Sequence, residues 1–289
     1  MLRVIALPAI ALVCGCGRIA FDPLGTGTGG DDMPGGDGGS SVDDDQDGAP
    51  DSGDNCVGVS NPGQENEDSD AFGDACDRCP AFFDDNVDGA DNDGVTSLCD
   101  PHPTAGGDTI QLFEGFANGF PAGWAAVNGW TEGTGEVSVD VGANFGAAFT
   151  LPIVADTTST IFVGFVPVQN NGAQGDFRAV GILPRQNGFL TGLACVVYLP
   201  TGTSVKTVGN INIMTDATLA SMAYTWVEGN PYVLRAEQGG GQVKCDVYVG
   251  TTMMATATSS AIAVATPSTS FYTNSISTSV QWVMVVDSP

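Results

Sequence analysis

Val243-Lys244-Cys245-Asp246-Val247-Tyr248-Val249 alternates strictly, with Val243, Cys245, Val247 and Val249 on one side and Lys244, Asp246 and Tyr248 on the other. A period of two is the signature of a β-strand with one face on a core. Working outward, Tyr232-Val233-Leu234-Arg235-Ala236, Cys195-Val196-Val197-Tyr198-Leu199 and Ile161-Phe162-Val163-Gly164-Phe165-Val166 are equally rich in β-formers. Clusters such as Gly239-Gly240-Gly241 separate the runs at short intervals, and no helical period of useful length occurs between residues 108 and 289. Many short strands of this kind imply an all-β, antiparallel sandwich or barrel over residues 104–289. Cys195 and Cys245 both fall in mid-strand, so a bridge between adjacent or facing strands is expected. Trp282, in Gln281-Trp282-Val283-Met284-Val285-Val286, belongs to a final strand through a sheet centre and is expected in the core.

The first third of the chain is a different material. The 289 residues carry a formal net charge of −26, and 22 of the 34 acids lie in residues 1–107 beside only 3 bases. So negative a chain repels phosphate, which excludes nucleic acid as a partner. The single histidine, His102, sits outside the strand-rich region, so a histidine-based triad has no histidine among the strands.

The acids are spaced as ligands. Asp43, Asp45, Asp47, Gly48, Asp51 and Asp54 occupy positions 1, 3, 5, 6, 9 and 12 of a twelve-residue loop, and Ala49 offers its carbonyl at position 7. Alternating carboxylates in this register wrap oxygens around a calcium ion, and glycine at position 6 permits the sharp turn. The register returns 23 residues later with Asn66, Asp68, Asp70, Asp74 and Asp77, the carbonyl of Phe72 at position 7, and Ala71 replacing the glycine. A third, degenerate loop retains Asp91, Asp93, Gly94 and Asp100, while Gly89 and Ser97 replace two carboxylates and Asp88 is a substitute donor. Pro50, Pro62 and Pro80 exclude flanking helices. Cys56 and Cys76, and likewise Cys79 and Cys99, stand 20 positions apart. Pairing successive cysteines would close each unit for about 3 kcal/mol.

Asp43-Asp44-Asp45-Gln46-Asp47-Gly48, Asp54-Asn55-Cys56, Asn61-Pro62-Gly63-Gln64 and Gly73-Asp74-Ala75-Cys76-Asp77 resemble thrombospondin type 3 repeats. The resemblance covers residues 43–103 and implies an irregular, calcium-bound segment with successive cysteines bridged. Magnesium fits such loops less well, because it demands octahedral geometry and keeps its waters. Removing calcium is expected to expand the segment.

At the amino terminus, Met1-Leu2-Arg3 and the apolar run Val4–Val13 are too short to span a bilayer and suit a secretory signal. Val13-Cys14-Gly15-Cys16 resembles a bacterial lipobox, which implies cleavage after residue 16's neighbour Gly15 and lipid on Cys16. Residues 17–42, with Gly25-Thr26-Gly27-Thr28-Gly29-Gly30, have the composition of a flexible tether. The expected site is the bacterial cell envelope, at the outer membrane or cell surface, with secretion as the alternative.

Phe113-Glu114-Gly115-Phe116, Phe120-Pro121-Ala122-Gly123-Trp124 and Gly129-Trp130, followed by the later strands, resemble concanavalin A-like or laminin G-like jelly rolls. That resemblance implies a lectin-like sandwich, carried on the repeats as on a short stalk, with a glycan or surface protein as ligand. Trp124, Trp130, Trp226, Tyr224 and Tyr248 are either sugar-stacking platforms or core. The alternatives are a jelly-roll glycoside hydrolase and a passive spacer. Hydrolysis needs paired carboxyl groups. Glu136 and Asp140 share a strand face without completing a Glu-x-Asp-x-x-Glu pattern, whereas Glu228, Glu237 and Asp246 stand isolated, as solvated strand acids do.

Overall fold

A computed structural model describes residues 42–289 except 85, 88–89, 144, 154–157, 173–177, 187–191, 200–208, 216, 225 and 261–267. The signal, Cys16 and residues 17–41 of the tether lie outside the described residues, as do Asp88 and Gly89. No helix among the described residues is long and apolar enough to cross a membrane.

The strands follow in chain order: β1 Thr109–Glu114, β2 Ala125–Val127, β3 Trp130–Glu132, β4 Val137–Val139 and β5 Gly146–Thr150. Next come β6 Thr160–Asn170, β7 Arg178–Gln186, β8 Gly192–Leu199, β9 Gly209–Thr215 and β10 Ala217–Tyr224. The last are β11 Tyr232–Gly239, β12 Gln242–Val249, β13 Thr252–Ser260, β14 Ser268–Asn274 and β15 Ile276–Asp287. They form two antiparallel sheets. The larger runs β13-β12-β11-β6-β15-β4-β3, with β1 also paired to β15; the smaller runs β10-β9-β8-β7-β14-β5-β2. This is the jelly-roll sandwich expected from the alternating strands.

The faces in the middle of the sandwich are aromatic. Phe149 lies 5.4 Å from Phe271, 5.1 Å from Trp130 and 5.5 Å from Trp124, ring centre to ring centre. Phe116 packs edge-on to Phe149 at 6.1 Å. Such offset and edge-to-face pairs each add about 1 kcal/mol to simple burial. Tyr224 and Trp226 are buried in the same core, Trp130 donates its indole N–H to the Ala148 carbonyl, and Tyr248 is covered on the opposite face. Tyr224, Trp226 and Tyr248 are therefore packing residues, while Trp124 and Trp130 are partly buried against the core. Cys195 on β8 and Cys245 on β12 bridge the two sheets, with Cα atoms 5.6 Å apart.

Two expectations need correction. Residues 43–103 do not project as a stalk: they and the sandwich belong to one compact unit. Phe82 inserts edge-on against Trp282 at 5.8 Å and Phe162 at 6.4 Å, on the outward face of the larger sheet. Cys79, Val95 and Cys99 join it over Val233, Tyr248 and Met284. Trp282 is buried as expected, but in this second core rather than between the sheets. Its indole lies over Gly164, the neighbouring position on β6, where a side chain would collide with the ring. A shift of register between Val280 and Trp282 turns the tryptophan to the outer face while Val280 and Val283 stay inside.

Glu237 and Asp246 are likewise not isolated. Arg235 contacts Glu237 at 2.6 Å and Lys244 contacts Asp246 at 3.0 Å, with Asp246 fully buried. Each acid pairs with a base two residues away on its own strand, and Lys244 also reaches Glu237 across the two strands at 3.7 Å.

Phe82→Ala should cost about 3 kcal/mol, in the range for a buried phenylalanine truncated to alanine. Denaturant unfolding followed by near-UV circular dichroism should show the sandwich itself unfolding earlier. An unchanged midpoint would mean that the docking contributes nothing.

Candidate metal centres

The described residues of 43–100 include no strand and one turn of 3-10 helix, Ser97–Cys99. Their order comes from side chains bonding to nearby backbone, the usual recourse of aspartate outside regular structure. The pattern repeats. The position-5 carboxylate accepts the position-7 N–H in each loop: Asp47 from Ala49 at 2.7 Å, Asp70 from Phe72 at 2.7 Å and Asp93 from Val95 at 3.0 Å. The position-12 carboxylate accepts the N–H two residues on: Asp54 from Cys56 at 2.8 Å, Asp77 from Cys79 at 2.9 Å and Asp100 from His102 at 2.7 Å. Position 4 is left-handed throughout, at Gln46, Ser69 and Asn92, with φ of 63°, 63° and 61°. Gly48 and Gly94 at position 6 also need positive φ, at 103° and 93°. Ala71 does not adopt it, so the second loop turns at Ser69 alone.

The folding of each loop brings three carboxylates together. Asp43, Asp45 and Asp47 converge, as do Asp68, Asp70 and Asp77, and Asp91, Asp93 and Asp100, with donor oxygens within 4.8 Å of one another in each trio. One oxygen of Asp45, of Asp68 and of Asp77, and both of Asp91, are buried without a hydrogen-bond partner. Oxygen-only donors with unsatisfied lone pairs facing each other fit a hard cation, and calcium's tolerance of irregular distances suits loops of this kind. Disulfides Cys56–Cys76 and Cys79–Cys99, with Cα separations of 5.6 and 5.3 Å, close the units.

Other expected ligands stand apart from the trios. Asp51 accepts the Asp44 N–H at 3.0 Å, and Asp54 also accepts from Gln64 at 3.0 Å. Asn66 accepts the Ser69 N–H at 2.7 Å. Asp74 accepts the Glu67 N–H at 2.9 Å and lines a cleft of about 380 Å³ with Glu65, Glu67 and Glu114. Ala49 and Phe72 are tied to the turns through their N–H groups, which donate to Asp47 and Asp70.

Sequence reading passed over Asp84 and Asp108. The Asp84 N–H donates to Asp70, and its carboxylate accepts from Thr96 at 2.8 Å. Asp108, fully buried ahead of β1, lies 3.3 Å from the His102 ring, and its N–H donates to Asp93 at 2.8 Å. The third loop is thus joined to the first strand by hydrogen bonds. Neither residue has a loop position, so spacing offered no signal for it.

Crowding shows in the acidities. Burial, then repulsion from Asp70, Asp68 and Asp84, pushes Asp77 up to about 7. Burial, then Asp74 and Asp68, pushes Glu67 up to about 8, and burial with nearby acids raises Asp74 and Asp100 to about 6. Asp47 goes the other way, held below the usual carboxylate range by the N–H groups of Ala49 and Asn61.

No protein-family model matches the chain, and no curated protein matches it. Solved structures do. The exoplasmic/lumenal domain of VIP36, in its Ca2+/Man3GlcNAc-bound form, is 10% identical with a TM-score of 0.46, covering 58% of this chain and 84% of that one. The carbohydrate recognition domain of Emp47p is 11% identical with a TM-score of 0.44, covering 60% and 93%. The carbohydrate-binding module CBM66 from Bacillus subtilis is 12% identical with a TM-score of 0.41, covering 55% and 92%. No residue of this chain takes its role from them.

Carboxylates whose folded pKa lies above the unfolded value hold protons that the unfolded chain has already released. In metal-free buffer, stability should therefore fall as pH rises from about 4 to about 8. Thermal midpoints of metal-depleted protein at pH 5 and pH 8 check the sign; a higher midpoint at pH 8 would contradict it.

Proposed function

We propose that this chain is an exported calcium-binding protein of the bacterial cell envelope, anchored by lipid on Cys16, whose sandwich binds glycans. One observation carries the calcium reading: three loops of one register each gather carboxylates whose buried oxygens lack hydrogen-bond partners. Bound calcium would supply positive charge at the point where the carboxylates of each trio converge. Asp43, Asp45 and Asp47 would hold the first ion, Asp68, Asp70 and Asp77 the second, and Asp91, Asp93 and Asp100 the third.

Binding is favoured over hydrolysis by what surrounds the remaining acids. Glu237 and Asp246 are tied to Arg235 and Lys244. His102, next to Asp108, lies beside the third loop. A spacer role is disfavoured because the sandwich has an aromatic core, a cross-sheet disulfide and a second core beneath the repeats. The envelope location rests on the apolar start and the Val13-Cys14-Gly15-Cys16 sequence.

Titration calorimetry of the metal-depleted protein should count three calcium ions, and Asp47→Ala and Asp70→Ala should each remove one. Unchanged counts in both variants would refute the assignment of ligands. For the anchor, cells fed labelled palmitate should label the protein and fail to label Cys16→Ser, which should appear in the medium. Equal recovery of an unlabelled protein from the medium in both cases would establish simple secretion instead.

A further inference from the structure

The outward face of the larger sheet has two halves. The repeats cover Phe162, Trp282 and Met284, whereas the half on β3, β4 and the start of β15 is not part of that second core. There Thr131, Ser138 and Ser279 lie side by side across three strands, in register. Glu136 and Asp140 stand two residues to either side of Ser138 and so share its face. These residues, with Val166 and Val168, line an open groove of about 590 Å³.

The lining specifies the ligand's chemistry. Glu136 accepts a hydrogen bond from Ser279, Asp140 accepts one from Ser277 at 2.6 Å, and the hydroxyls of Thr131 and Ser138 lie 3.1 Å apart. Those bonds hold each carboxylate by one oxygen and fix its direction. No lysine or arginine lines the groove, so it repels anions and offers acceptors to a donor-rich neutral molecule. Val168, 53% exposed, adds apolar surface beside the hydroxyl row. Asp140 lies four positions beyond Glu136, about 13 Å at the usual rise per residue. That span suits a chain of linked sugars lying along β4 better than a single ring.

We propose that this groove is the glycan-binding site: a neutral polysaccharide donates hydroxyls to Glu136 and Asp140, and rests the C–H side of its rings on Val166 and Val168. The assignment rests on the glycan-binding reading above and adds to it the location and the class of sugar. Aromatic stacking has no part in it, because no aromatic side chain is among the described residues that line the groove.

The test is affinity electrophoresis of the full chain, with calcium, through gels containing neutral β-glucan, α-glucan, mannan or fructan. Retardation by at least one polysaccharide is expected, with tenfold or greater weakening in Asp140→Ala and in Glu136→Gln. Asp140 is exposed, so its variant should keep the wild-type melting temperature and remain interpretable should Glu136→Gln lose stability. Retardation undiminished in the folded Asp140→Ala and Glu136→Gln variants would overturn the groove and leave glycan binding standing. No retardation of the wild type by any of the four would refute glycan binding, and the groove with it.

Discussion

Like charges brought together are the constraint on which the rest of this molecule depends. Two carboxylates 4 Å apart repel by roughly 1 kcal/mol in water and about 4 at an effective dielectric of 20. Each trio contains three such pairs within 4.8 Å. Backbone N–H groups offset part of this, as the lowered pKa of Asp47 shows, but they leave oxygens buried and unpaired. Burial first, and then repulsion from Asp70 and Asp68, raises the pKa of Asp77 within its trio. A segment with two disulfides and no strand among its described residues has little else to set against that repulsion, so a divalent cation is the natural partner of its compact form.

The consequence extends into the sandwich. Phe82, Val95 and the Cys79–Cys99 bridge are held in place by the loops, and they cover Trp282, Phe162 and Met284. Asp93 adds a polar tie by accepting the N–H groups of Gly107 and Asp108 just before β1. Charge in the loops thereby decides whether an apolar sheet face is covered. The open half of that face, around Ser138, has hydroxyls instead of large apolar groups and is compatible with water.

Much of this could be read from the chain. The loop positions were legible because calcium-loop spacing is local: alternate residues of one short segment must face one point. The cysteine pairs inside the repeats follow from the same spacing. The strands were legible from period two, and β12 keeps its Val243, Cys245 and Val247 on the core side as read. What escaped was contact between distant segments. Asp246 and Tyr248, on the other side of β12, are buried as well, one in an ion pair and one beneath the repeats. The signal for a covered outer face was present in Trp282-Val283-Met284-Val285-Val286, since an unbroken apolar run marks a strand buried on both sides. Read only as a central strand, it did not reveal that the acidic segment supplies the cover. Asp84, Asp108 and Glu114 escaped for the same reason, their neighbours being set by tertiary contact.

The dependence of the acidic segment on a cation is tested most directly by hydrogen exchange at the amides of Ala49, Phe72 and Val95, which donate to the position-5 carboxylate of each loop. In the full chain these amides should exchange slowly with calcium and about tenfold or more faster after chelation, while those of Val163 and Phe271 in the sheets stay protected. Equal exchange at the three loop amides with and without calcium would contradict the account.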